Sequence, residues 1–286
     1  MRFFDLFAGI GGFRLGLESL GHACVGFCEF DKDTAQAYTA LHKAHSEYYC
    51  QDAKSIDLDS MPSFEILCAG FPCQAFSISG HKEHFNDTRG ALFYEIIKIT
   101  NAKKPKIVFL ENVTHLLKIQ QGAVFAKILL EFWQIGYVCQ WQILDTREAT
   151  PQARRRVYII ATRYDGSKPT PQILPIATSP SKRTLKQIGH LRGGGQGQRI
   201  YSNDCSCTLL ANGGGQGAKT GLYIDREGIR KLTPRECFRL QGFSDKHYEI
   251  ISSLGFSDTK LYRMANNAVN PLIIAKIAQG FDKVDL

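Results

Sequence analysis

Over its first 162 residues the chain alternates short apolar runs with longer stretches of helical spacing, a rhythm that leaves few folds open. The runs at 2–7, 23–27, 64–69, 106–110, 137–143 and 156–162 read as strands. Between them, 13–20, 34–42, 87–101 and 123–134 read as helices. The third carries Leu92, Phe93, Ile96, Ile97 and Thr100 at helical spacing, and the fourth Phe125, Ile128, Leu129 and Phe132. Strands alternating with helices predict an α/β fold, a mostly parallel sheet covered on both faces. Ligands of such sheets bind past the C-terminal ends of the strands.

The rhythm stops near residue 163. From 163 to 230 ten Lys and Arg stand against four Asp and Glu, six of the net eight positive charges of the chain. The same stretch holds twelve of the 26 glycines. This predicts a smaller, loop-rich, basic domain at 163–230, between a first domain at 1–162 and a closing segment at 231–286. A basic surface invites a polyanion, although net charge alone is weak grounds for one.

Composition narrows the class further. With 44% apolar and 22% charged residues, the 286-residue chain can build a sizeable core. No apolar run approaches a membrane span, and Met1 to Asp5 lack a signal peptide's layout, so a cytoplasmic protein with no membrane partner is expected. Nine cysteines include no Cys-x-x-Cys pair, and Cys205-x-Cys207 has no metal-site partners nearby. Reduced thiols and no metal are expected.

Four motifs carry chemistry. The stretch Gly70-Phe71-Pro72-Cys73-Gln74 sets a cysteine just past the strand at 64–69. Asp5-Leu6-Phe7-Ala8-Gly9-Ile10-Gly11-Gly12 joins a strand to a helix, whose N-terminus favours an anionic group. Glu29, twenty residues past Gly9, stands where an acid can take ribose hydroxyls. G-x-G-G rather than G-x-G-x-x-G favours a nucleoside cofactor over a dinucleotide. Glu111-Asn112-Val113 follows the strand at 106–110, which brings Glu111 to the same sheet edge as Cys73. Gln152-Ala153-Arg154-Arg155-Arg156 precedes a strand and suits polar-ring or phosphate recognition. Taken singly, each has a structural reading: a buried small hydrophobe, a βα turn, a loop acid, a solvated charge run. Thr233-Pro234-Arg235-Glu236 is a capping box that starts a helix ending near Gly242. Gly193-Gly194-Gly195-Gln196-Gly197 recurs as Gly213-Gly214-Gly215-Gln216-Gly217, either as plain hairpin ends or as loops whose bare backbones approach a partner closely.

Together and in this order, these motifs, with Arg230 to Phe243 and Asn267-Ala268-Val269, resemble the DNA cytosine-C5 methyltransferases, most of all the small bacterial restriction–modification enzymes. The resemblance covers nearly the whole chain. It implies a Rossmann-like methyltransferase sheet with a target-recognition domain, and a final helix at 271–281 returning to pack beside the cofactor site. It implies methyl transfer from S-adenosyl-L-methionine to C5 of a flipped-out cytosine in double-stranded DNA. Cys73 would then be the nucleophile at C6 and Glu111 the partner of N3, with Arg154 and Arg156 holding the base and the thiolate region in register. The cofactor would lie against Asp5, Phe7, Gly9, Gly11, Glu29, Phe30, Asp52, Pro72, Leu92 and Asn267. DNA would meet Ser79, Gln196, Arg199, Thr208, Gly214, Gly215 and Gln216, with Gln196 filling the gap left by the flipped base and Ser79 approaching from the other groove. A monomer is implied, with a cognate restriction endonuclease acting separately. One departure stands out: the family's usual Gly-Asn pair is Asn266-Asn267 here, and a left-handed turn is expected to survive, since asparagine tolerates it. Three rivals remain: an NAD-dependent oxidoreductase, a non-catalytic DNA-binding relative, and an RNA cytosine-C5 methyltransferase.

Overall fold

The computed structural model describes residues 1–71, 91–164, 166, 169–178, 182–191, 196–211, 219–226 and 228–284, with the backbone alone described at Ala91 and Gln196. Its centre is a seven-stranded sheet made of β1 (Arg2–Leu6), β2 (Ala23–Cys28), β3 (Tyr48–Cys50), β4 (Ile66–Gly70), β5 (Ile107–Val113), β6 (Tyr137–Asp145) and β7 (Arg155–Arg163). Their spatial order is β3-β2-β1-β4-β5-β7-β6. β1 to β5 pair in parallel, whereas β7 runs against both its neighbours.

Period-two alternation sorts the strand residues onto two faces. Phe3, Ile66, Cys68, Ile107 and Phe109 pack with α1 (Gly12–Glu18) and α8 (Pro271–Ala278). Phe4, Leu67, Ala69, Val108 and Leu110 pack with α3 (Ala91–Lys103) and α4 (Ala123–Gln134). Burial on both faces is why these strands are continuous apolar runs. The expected return of the last helix is observed. A Cβ at Gly16 of α1 would stand 2.7 Å from Ile274 and from the Pro271 carbonyl of α8, so only glycine permits that spacing.

Several boundaries differ from expectation. β5 runs on through Glu111 and Asn112, because β7 continues the ladder opposite them, Glu111 against Tyr158 and Asn112 against Val157. Helix α2 (Lys32–His42) begins before residue 34, since Asp31 caps it by accepting from Thr34 N. β3 gave no signal, being three residues without an apolar run. Residues 87–90 of the third predicted helix lie outside the described residues. The capping box forms as read, on α5 (Pro234–Leu240), and Gly242 follows at φ 89°.

A second sheet, in the order β11-β10-β9-β8, is built from β8 (Gln187–His190), β9 (Arg199–Tyr201), β10 (Leu222–Asp225) and β11 (Gly228–Lys231). Tyr201, Cys207, Leu209 and Tyr223 pack with α5, α6 (Asp245–Ser252) and α7 (Asp258–Asn267) in a third core, which Ile10 and Ala37 of the first domain join. Residues 171–176 instead dock on β6, the edge strand of the large sheet. Gln140 and Gln142 of β6 bond the backbones of Pro171, Ile173, Leu174 and Ile176, and Ile173 and Leu174 enter the α8 core.

The expected left-handed turn at Asn266-Asn267 is absent. Right-handed helix α7 runs through both, and Ala268 leaves it extended at φ −62°, ψ 149°. The Asn266 amide is engaged by carbonyls of the neighbouring segment, which holds the residue in the helix. Among the described residues no helix is long and apolar enough to cross a membrane.

Candidate active site and cofactor cleft

The C-terminal ends of β1, β2, β4 and β5 open onto one cleft of about 1090 Å³. Phe7, Gly9, Glu29, Glu111, Arg154, Arg156 and Asn267 all line it, as the sequence predicts. Leu209, Leu210 and Ala211, from the segment leading out of the second sheet, close one side.

At one end the glycine turn and the acid meet. The two oxygens of Glu29 accept from Gly9 N and Asp31 N, each at 2.9 Å. Burial raises the Glu29 pKa, and these two amide donors work against that rise. Gly9 adopts φ 57°, and a Cβ there would meet nothing within 4 Å, so its bare face opens onto the cleft. Gly11, at φ 82°, does another job: its Cβ would fall 2.1 Å from His42 Nε2. Asp5 is likewise off the cleft. It is fully buried in β1, Tyr38 Oη donates to it at 3.3 Å, and burial pushes its carboxyl well up. Asp52 accepts from Lys54 N and caps a 3-10 turn, Leu92 packs against the α3 core, and Phe30 is 69% exposed beside Glu29. None of these five lines the cleft. Strand alternation turns Asp5 inward, and His42 of helix α2 takes the space at Gly11.

At the other end, Gly70 pairs with Glu111 in register. Asn112 Nδ2 donates to the Phe71 carbonyl at 2.9 Å, which fixes the chain two residues before Cys73. Cys73 itself, with Pro72 and Ser79, lies outside the described residues. Glu111 and Arg156 form a nearly buried pair, Nε to Oε1 3.0 Å. Arg154 points elsewhere. It donates to the carbonyls of Asn266 and Ala268 at 3.2 and 3.3 Å, and burial lowers its pKa to about 10. Only Arg156 therefore holds the carboxylate, while Arg154 fastens the end of α7.

Of the expected DNA contacts, Arg199 stands exposed at the start of β9. Thr208 Oγ1 donates to the Ala153 carbonyl at 2.6 Å. Gln196 opens a short 3-10 turn, Gln196–Gln198. Gly214, Gly215 and Gln216 lie outside the described residues. Among the described residues no group of His, Cys, Asp and Glu could hold a metal ion.

Sequence reading missed three contributors. Asn112 is one, quoted from the sequence only as the neighbour of Glu111 and given no role of its own. The second is the 3-10 stretch Thr114–Gly122, where Gln120 and Gln121 are left-handed and His115, Lys118 and Gln120 face the cleft. The third is Arg263, which lines the cleft and pairs with Asp31 across 232 residues. No local pattern announces such a distant partner.

The family model for C-5 cytosine-specific DNA methylases matches residues 1–205 and 182–283. The chain belongs to this family. The methylase is 35% identical to the type II methyltransferase M.HhaI of Haemophilus parahaemolyticus, over 97% of this chain and 93% of that protein. It is 33% identical to M.HpaII of Haemophilus parainfluenzae, over 93% of this chain and 85% of that one. In fold, the methylase is similar to Entamoeba histolytica EhMeth (TM-score 0.75, 18% identity, 99% and 98% of the two chains covered). It is similar again to S. pombe Dnmt2 (TM-score 0.70, 18% identity, 98% of each chain covered). The methylase thus transfers a methyl group to C5 of cytosine in DNA, the family's methyl donor being S-adenosyl-L-methionine, and the oxidoreductase reading falls.

The Glu29 end of the methylase cleft suits that donor. A ribose offers hydroxyl donors to a carboxylate, and the open face of Gly9 lets a ligand approach the backbone. Glu29→Ala is expected to weaken S-adenosylmethionine binding by roughly 1.5–3 kcal/mol, one charge-assisted hydrogen bond. Calorimetric titration of cofactor and of duplex DNA checks this; unchanged cofactor affinity would refute the assignment.

Proposed function

We propose that this cleft takes S-adenosylmethionine at its Glu29 end and a flipped-out cytosine at its Glu111 end, within one specific double-stranded DNA sequence. One observation carries the reading: the strand end that leads to Cys73 is tied by Asn112 beside a buried Glu111–Arg156 pair, on the same cleft as Glu29. Glu29, Gly9, Phe7 and Asn267 hold the cofactor, which supplies the methyl group when bound. Cys73 adds as thiolate to C6, and the electron pair of the C5–C6 bond becomes available at C5. Glu111 meets N3 and shares a proton with it as charge builds there. Arg156 keeps Glu111 oriented. Once C5 carries its methyl group, solvent takes the C5 proton, the freed C–H pair restores the C5–C6 double bond, and the C6–S bond breaks to release the Cys73 thiolate. A base within a duplex cannot reach a cleft of this depth, so it leaves the stack.

The second sheet and its glycine loops serve as the target-recognition unit. Arg199, Gln196, Gln216, Gly214 and Gly215 face DNA, Thr208 supports the unit from its root, Gln196 fills the vacated stack and Ser79 approaches from the cysteine loop. With 171–176 bound to the large sheet, the unit is built from residues past Ile176 up to β11. The likeness to type II methyltransferases supports a protective role beside a separate endonuclease. We place the enzyme in the cytoplasm as a monomer.

Bisulfite sequencing of DNA from cells expressing the protein is the test. Protected cytosines are expected at one short recurring sequence and nowhere else. Unmodified DNA, together with labelled methyl groups on transfer RNA, would reassign the acceptor.

A further inference from the structure

Asn266 replaces the family's usual glycine, and its side chain is 3% exposed. Its Nδ2 donates to the carbonyls of Leu210 at 2.9 Å and Lys219 at 3.5 Å. These carbonyls stand on opposite sides of the second glycine loop, whose stems also meet through Leu210 N donating to Lys219 O at 2.9 Å. One amide nitrogen therefore spans the base of the loop. The backbone carbonyl of the same residue accepts from Arg154 Nη1 at 3.2 Å, and Asn266 and Asn267 both line the cleft.

Among the described residues the buried Asn266 Oδ1 has no partner. Leaving half of a buried amide unused is costly, so the donor half is what this position requires. The opposite amide orientation would set oxygen against two carbonyl oxygens. Glycine offers no such donor, and in a right-handed helix its conformational freedom would bring only cost.

We infer that Asn266 is a positioning residue that holds both stems of the second glycine loop against the catalytic cleft and so sets how the enzyme engages its target sequence. This rests on the reading of that loop as a DNA-reading element. The loop cannot shift its stems without breaking bonds to the residue that neighbours the cofactor wall and receives Arg154.

The test uses the full chain and two variants. Asn266→Asp keeps the size but turns an oxygen toward the two carbonyls, and Asn266→Gly restores the family's usual residue. The Arg154 bond goes to the backbone carbonyl, which both variants retain. The KM for duplex DNA is expected to rise about tenfold, the scale of one buried hydrogen bond, while the KM for S-adenosylmethionine stays unchanged. Hydrogen exchange at Leu210 N–H should accelerate without change in β1 and β4, and bisulfite maps of plasmid DNA should show methylation spreading to near-target sites. A general packing role would instead raise both KM values together and accelerate exchange in the large sheet. That result, or wild-type DNA KM with slow Leu210 exchange in Asn266→Gly, overturns the inference. Should Asn266→Asp not fold, Asn266→Gly decides alone. If the wild type methylates no DNA, the functional reading fails; if it does and both variants match it, only the role of Asn266 fails.

Discussion

Replacing Cys73 by serine is expected to lower methyl transfer by roughly 10⁴-fold or more, the scale of losing a catalytic nucleophile. Serine keeps the shape and loses the thiolate. A hydroxyl gives almost no anion at neutral pH, and Glu111 is already committed to Arg156. Specific DNA binding should persist, because the recognition unit and the Asn112–Phe71 tie are untouched. Transfer of tritium from labelled cofactor to duplex DNA, alongside gel-shift titration, separates the two effects. Near-normal turnover by the serine variant would sink the covalent mechanism.

Glu111→Gln should cut turnover by about 10²–10⁴-fold, the usual weight of a positioned proton donor. Glutamine can still touch N3 but cannot pass it a proton. The change also strands the Arg156 guanidinium, whose Nε now faces the carboxylate at 3.0 Å in a nearly buried setting. An unpaired buried cation is costly, so some loss of thermal stability should accompany the loss of activity. Single-turnover methylation at saturating DNA, with a thermal melt on the same sample, reads both. A glutamine variant with wild-type turnover would remove Glu111 from the chemistry.

Much of the fold was legible because central strands such as β4 and β5 are buried on both faces and so carry apolar runs, while α4 buries Val124, Phe125, Ile128 and Phe132 along one side. What was not legible depends on partners distant in sequence. Glu111 and Asn112 belong to a strand only because β7 lies opposite them. Asp5 sits in a motif that joins a strand to a ligand-binding turn, yet its own side chain faces the buried side with Tyr38. Asn266-Asn267 looked like a turn by residue preference; the carbonyls of Leu210 and Lys219 outweigh that preference, and they come from a segment more than forty residues earlier. The Cys73 motif was read from residues alone and lies outside the described residues.

The reversal of β7 has a further consequence. Its nine residues begin at the catalytic edge, so at about 3.3 Å each they carry the chain roughly 30 Å away from the cleft before it reaches Arg163. The second sheet must nevertheless return to that cleft, since Leu209 to Ala211 wall it. The polypeptide covers this distance as a tether along β6, clipped down by Gln140 and Gln142 and plugged into the core by Ile173 and Leu174. Strand length thus sets tether length. Any swing of the DNA-reading unit during a catalytic cycle has to pivot beyond Ile176, well downstream of the place where the composition of the chain changes.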